Sequence, residues 1–192
     1  MTYLDYNATT PVDERVLKEM LPFFSEHFGN ASSNTHEFGW YAKGAIDKAR
    51  QQVADFIGAE ATEIIFNSGS TEGINTALKG VYEAYKSKGN HIITTQTEHK
   101  AVLDTCEYLK DLGAEITYLS VDREGRIDLD ELKQSFTDKT ILVSVIAANN
   151  ETGVLQDLEK ISEITHQHNA LFFSDTTQLA GKLAFDVNDL GI

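Results

Sequence analysis

The sequence predicts an α/β fold, a mostly parallel sheet with helices on both faces. Helix-spaced apolar segments alternate with short β-branched runs, which is the pattern of strands joined by helical crossovers. No internal repeat or low-complexity tract interrupts that alternation. The 192 residues are 41% hydrophobic and 24% charged with only 2 prolines, a composition that can bury a core.

From Thr10 to Ala59 the sequence predicts helix, broken from Phe23 to Thr35 by the loop-forming Gly29, Asn30, Ser32, Ser33 and Asn34. Ala42, Ala45, Ile46, Ala49, Val53, Phe56 and Ile57 recur at helical spacing along the second half. Residues 1–59 thus form an N-terminal arm with helices, and residues 60–192 an α/β cofactor-binding domain, read as incomplete. Strands are expected at Glu63–Asn67, His91–Thr95, Glu115–Leu119, Ile141–Ala147 and Leu171–Ser174. Helices are expected at Thr71–Lys86, His99–Leu112, Leu129–Phe136 and Leu158–His168. Beyond the last strand no closing helix is expected, so the sheet should end in an uncovered edge, as part of something larger.

Thirty acidic against sixteen basic residues give a net charge of −14, which repels phosphate backbones and anionic lipid and argues against nucleic-acid or membrane-surface binding. The single cysteine, Cys106, excludes an internal disulfide and a cysteine-based zinc site, and points to a reducing compartment. The start of the sequence lacks the pattern of a signal peptide, and the apolar run around Ile141–Ala148 is too short for a membrane span. A cytoplasmic location follows as the expectation.

In an open parallel sheet the ligand crevice lies outside the carboxyl ends of the strands. Ser68-Gly69-Ser70-Thr71-Glu72 follows the first expected strand, and its glycine, hydroxyls and helix start suit a phosphate; a plain N-cap with Glu72 in the first turn is the alternative. Thr97-Glu98-His99-Lys100 places an imidazole at the crevice mouth, either to stack on a planar cofactor or merely to be solvated. Asn149-Asn150-Glu151-Thr152-Gly153 offers side-chain amides, or turn chemistry alone. Asp175 ends an apolar run and needs a partner, such as a protonated ring nitrogen, a lysine or the amide of a following turn. Together the four suit a flat, phosphorylated, protonatable heterocycle, of which pyridoxal 5′-phosphate is one.

The ordered motifs Tyr3–Pro11, Gly29–Ser33, Ser68–Glu72, Thr97–Cys106, Asn149–Gly153 and Asp175–Lys182 resemble the cysteine desulfurases of iron–sulfur cluster assembly. These belong to the class V aminotransferases, fold-type-I pyridoxal-phosphate enzymes. The resemblance implies the large domain of that fold, truncated before its last strands and the C-terminal small domain. It implies that Ser70 and Thr71 hold the cofactor phosphate, that His99 stacks on the ring and acts in proton transfer, and that Asp175 pairs with the pyridinium nitrogen. Asn150 and Gln178 would bond the phenolic oxygen or its surroundings.

The implied partners are L-cysteine, a second copy in a homodimer, and an iron–sulfur scaffold or other sulfur acceptor. The family's Schiff-base lysine and nucleophilic cysteine fall beyond Ile192, so the chain alone is expected to be inactive. Lys182 reads as surface charge and Cys106 as a small buried hydrophobe. Asn7 and Ala31 stand where the family usually has alanine or serine and proline. Rival readings are a module that holds pyridoxal phosphate noncovalently or pairs with another chain, a relative acting on selenocysteine or in aminotransfer, and a nucleotide- or flavin-binding domain. The last lacks both usual glycine-rich phosphate fingerprints.

Overall fold

The computed structural model describes residues 2–7 and 9–192. Met1 and Ala8, both in the expected N-terminal arm and the latter in the Tyr3–Pro11 motif, lie outside them. The chain divides into two compact units, Met1–Ile65 and Phe66–Ile192.

The first unit is helical from Glu14 rather than from Thr10. Asp13 ends the preceding segment by accepting the Arg15 N–H at 2.8 Å, which starts α1 (Glu14–Met20). A second short helix, α2 (Pro22–Ser25), begins on the proline, whose fixed φ suits a first helical position. The predicted break follows. The His36 ring then caps α3 (Glu37–Ile57) by accepting the Gly39 N–H at 3.3 Å, and Gly58 closes it at φ +76°. Gly39 is obligatory, because a Cβ there would run into the Ser33 carbonyl. Of the expected apolar stripe Ala42 is buried, together with Ala54, while Ile46, Val53 and Phe56 are exposed.

The strand expected at Glu63–Asn67 does not form. A 3-10 turn (Ala61–Glu63) occupies its start, held by Glu63 accepting the Glu60 N–H at 2.8 Å, and the Arg50 guanidinium bonds the Ile64 carbonyl. Ile65 and Phe66 that follow are exposed at 80% and 50%. Apolar β-prone residues make a strand only against a neighbour that accepts and donates their ladder bonds, and no described strand pairs with this run.

In the second unit the sheet is β1 (His91–Thr95), β2 (Glu115–Leu119), β3 (Thr140–Ser144) and β4 (Leu171–Phe173), in the order β2-β1-β3-β4 and parallel throughout. The β3–β4 ladder continues past both strands, since the Val145 and Ala147 N–H groups reach the Phe173 and Asp175 carbonyls at 3.1 and 3.0 Å. One face of the sheet packs on α4 (Ser70–Tyr85) and α5 (Lys100–Asp111), where Leu78, Val102 and Leu109 meet Ile92 and Leu142. The other packs on α6 (Leu129–Ser135) and α7 (Leu158–Gln167), where Leu132 and Ile161 meet Ile93 and Val143. The helices on both faces are those the periodicity predicts, within one residue at each end.

The segment beyond Asp175 contains a short helix, α8 (Val187–Leu190), where none is expected. Asp186 caps it by accepting the Asn188 N–H at 2.8 Å, and Leu190 and Ile192 pack on the α7 side of the core. Among the described strands β4 pairs only with β3, so it forms one edge of the sheet as β2 forms the other.

Candidate functional site

From β1 the chain moves outward to β2 and then crosses back to place β3 on the other side of β1. The strand order therefore reverses between β1 and β3, and the carboxyl ends of these two strands are where an open parallel sheet is expected to form its ligand crevice. The turns after β1, β3 and β4 all lie at this edge. They carry His99, Asn150 and Asp175 in that order, so three of the expected site residues come from three adjacent strand ends.

His99 is half-buried and caps α5, its Nδ1 accepting the Ala101 N–H at 3.1 Å. That bond occupies Nδ1 as an acceptor and leaves Nε2 to carry the proton of the neutral ring. The cap thereby holds the His99 ring at one nitrogen and leaves Nε2 unused by that bond.

The turns after β1 and β3 are tied together twice. The Asn149 amide donates to the Thr97 carbonyl at 2.9 Å, and the Ile146 N–H donates to Glu98 Oε1 at 2.8 Å. Asn149 Oδ1 also accepts the Glu151 and Thr152 N–H groups, both at 2.9 Å, an Asx turn that Gly153 completes at φ +73°. Asn149 is thus consumed by the turn. Asn150 is half-buried and donates to Glu151 at 2.9 Å.

Asp175 is buried, 7% exposed, with its carbonyl in the ladder to Ala147 and its Oδ1 accepting the Thr177 N–H at 2.9 Å. Gln178 lies one turn further and accepts from Lys182 Nζ at 2.6 Å. Lys182 is exposed, as expected.

Helix α4 enters β1 through residues 86–90, so its C-terminus lies at the amino edge of the sheet and its N-terminus at the carboxyl edge, with the crevice. Its N-cap is Gly69, at φ +153°, and no side chain caps it. Glu72 instead turns back to accept the Ser68 N–H and hydroxyl, at 2.7 and 2.5 Å, which holds its carboxyl below the usual carboxylate range. The hydroxyls of Ser70 and Thr71 stand exposed at an uncapped helix N-terminus, an arrangement open to an anion. The plain side-chain N-cap is therefore not what Ser68–Thr71 forms.

Sequence reasoning missed Glu98, which is 6% exposed and whose carboxyl is pushed up to about 8, chiefly by burial and in part by the charge of Asp175. In the sequence it is an acidic residue three positions past the end of β1, in a polar turn, with no apolar run beside it such as singled out Asp175. Cys106 is fully buried on α5, and burial pushes its thiol up to about 12. Cys106 is accordingly expected to resist a thiol-directed alkylating reagent until the protein unfolds, as read by mass spectrometry of its peptide. No cluster of metal-ligating residues occurs among the described residues, and no helix there is long and apolar enough to cross a membrane.

Residues 2–192 match the sequence family Aminotransferase class-V. The chain belongs to that family. Among relatives, the cysteine desulfurase IscS of Ehrlichia chaffeensis is 53% identical over 190 residues, which are 99% of this chain and 46% of that protein. A mitosomal cysteine desulfurase of Trachipleistophora hominis is 51% identical over 192 residues, 99% of this chain and 44% of that one. The chain spans about half the length of the curated relatives it matches. Among solved structures, a NifS-like protein covers the whole chain with a TM-score of 0.96 at 42% identity, using 53% of its own length. The structure described as SspA in complex with cysteine does so at 0.96 and 36%, using 55%. The α/β architecture is thus that of the class V aminotransferase family.

Proposed function

We propose that this chain is the N-terminal part of a pyridoxal-phosphate-dependent cysteine desulfurase, which converts L-cysteine to L-alanine and passes the sulfur on as a protein persulfide for iron–sulfur cluster assembly. The observation that carries this reading is the convergence of an uncapped helix N-terminus, a capping histidine and a buried aspartate on one strand-end crevice. Relatives named cysteine desulfurase and a structural neighbour described in complex with cysteine support it.

The residues present fit the cofactor. The uncapped amides of α4 and the hydroxyls of Ser70 and Thr71 would hold a phosphate, with Gly69 leaving no Cβ in its way. Asp175, whose Oδ1 is fixed by the Thr177 N–H, would hold a protonated ring nitrogen. His99 would lie on the ring face, with Nε2 free to give or take a proton. Asn150 and Gln178 would bond the phenolic oxygen or its surroundings. When bound, pyridoxal phosphate supplies an electron sink for charge that develops at the substrate Cα. A homodimeric assembly, a cytoplasmic location and a scaffold protein or other acceptor for the sulfur belong to the same proposal.

The test is the full-length protein that carries this chain. It should purify with the absorbance of bound pyridoxal phosphate and release L-alanine from L-cysteine; a protein that takes up no cofactor and forms no alanine overturns the reading. In that protein His99→Ala is expected to lower kcat about 10²–10⁴-fold while cofactor affinity changes much less, because proton transfer is the larger part of its role. Steady-state kinetics and a cofactor titration separate the two.

A further inference from the structure

Glu98 is buried between two half-buried residues, Thr97 and His99, and its carboxyl does something a strand backbone would otherwise do. The Val145 and Ala147 N–H groups point to β4, so by strand alternation the Ile146 N–H between them points to the β1 side. There β1 has already ended at Thr95 and turned toward α5. Glu98 Oε1 takes the Ile146 N–H at 2.8 Å in place of the missing carbonyl, and accepts the Thr95 hydroxyl at 3.0 Å. Its other oxygen, Oε2, is fully buried and has no hydrogen-bond partner among the described residues.

The charge that bears on this carboxyl is that of Asp175, at the end of β4, and it has the same sign. Cys106 on α5 is the other titratable group in reach, a buried thiol held neutral. Neither supplies a counter-cation. An anion buried under these terms is costly, whereas a proton on Oε2 removes the charge and leaves a neutral hydroxyl without an acceptor, the smaller of the two penalties. Both carboxyls accept a backbone N–H through one oxygen, Asp175 from Thr177 and Glu98 from Ile146, but of the two it is Glu98 whose other oxygen is buried without a partner.

We infer that Glu98 is a positioning residue of the cofactor site: with a proton on its unpartnered Oε2, it completes the ladder to β3 through Oε1 across the strand-order reversal and fixes His99 beside it. The inference rests on the pyridoxal-phosphate reading for what His99 and Asp175 hold, but the ionisation state and the ladder bond stand without it. A carboxyl kept neutral in the folded state binds a proton that the unfolded chain has lost, so its contribution to stability is full in the acid range. That contribution declines as pH rises from the usual carboxylate range to about 8, the value to which burial pushes the group, and is level above it.

The experiment compares Glu98→Gln and Glu98→Ala with the wild type in the full-length protein, by thermal unfolding of the cofactor-free form from pH 5 to 9 and by spectrophotometric titration with pyridoxal phosphate. Glu98→Gln imitates the neutral acid. It is expected to flatten the wild-type decline in melting temperature between pH 5 and 8 and to hold the cofactor within about threefold of wild type. Glu98→Ala, which loses the ladder bond, is expected to weaken cofactor binding about tenfold or more. A Glu98→Gln protein with an unchanged pH slope, or one as impaired as Glu98→Ala, overturns the inference, as does a Glu98→Ala protein identical to wild type in both readouts. If the wild type binds no pyridoxal phosphate, the functional reading fails, and the unfolding series by itself decides whether Glu98 is the neutral acid inferred here.

Discussion

On the proposed desulfurase function, replacing Asp175 by Ala in the full-length protein is expected to lower cysteine turnover by about 10²–10³-fold, the usual cost of deleting a fixed charge from where charge develops. The expectation rests on placement. Asp175 stands at the end of β4 with 7% exposure, its backbone locked into the β3 ladder and one carboxylate oxygen held by the Thr177 N–H. Its backbone and one oxygen are fixed by these bonds, and the other oxygen is the one proposed to hold a ring nitrogen. Asp175→Asn separates the two duties. The amide keeps an acceptor for Thr177 and therefore the local fold, but it carries no charge to hold a protonated ring nitrogen. Both variants should show the loss in turnover and a weaker cofactor titration, while Asp175→Asn should unfold closer to wild type. Wild-type affinity and turnover in Asp175→Ala would remove the residue from the site.

Leu78→Ala is expected to cost about 2–5 kcal/mol of stability, a large share of the roughly 5–15 kcal/mol of a typical domain. Leu78 is fully buried in the layer where α4 and α5 meet the sheet, among Val102, Leu109, Ile92 and Leu142. Truncation leaves a cavity that the flanking strand and helix cannot collapse into without moving. Thr76→Ala, on the exposed side of the same helix, is expected to change stability by no more than about 0.5 kcal/mol. Chemical denaturation of both variants checks the contrast. Because α4 presents Ser70 and Thr71 from its first turn, loosening its seat should also weaken the phosphate binding proposed for them, whereas Thr76→Ala should leave it unaltered.

Much of this was legible before any coordinates. The alternation of periods located four of the five expected strands and the four helices that cover the sheet, because amphipathic spacing and N-caps such as Asp128 and Asp157 act within a few residues. The motifs after β1, β3 and β4 followed from one topological rule, that ligands sit beyond the carboxyl ends of parallel strands, whereas Ser68–Glu72 was placed after a strand that does not form and stands instead at the start of α4. The expectation failed at Glu63–Asn67, where β-prone residues met no neighbouring strand, and at Val187–Leu190, where a capping aspartate starts a turn too short for periodicity to register.

Glu98 shows the limit most clearly. In the sequence it is one acidic residue in a polar turn, indistinguishable from a solvated charge. Its partner Ile146 lies 48 positions away, and the two meet because β3 crosses back beside β1 after an excursion through β2. By itself the sequence determined which residue types stand at which strand ends, and with them the family, since local patterns and motifs are carried by neighbours along the chain. The tertiary structure alone decided which carboxyl is buried, which oxygen is bonded and which strand exists, since hydrogen bonds and desolvation depend on what lies across the sheet rather than on what comes next in the chain.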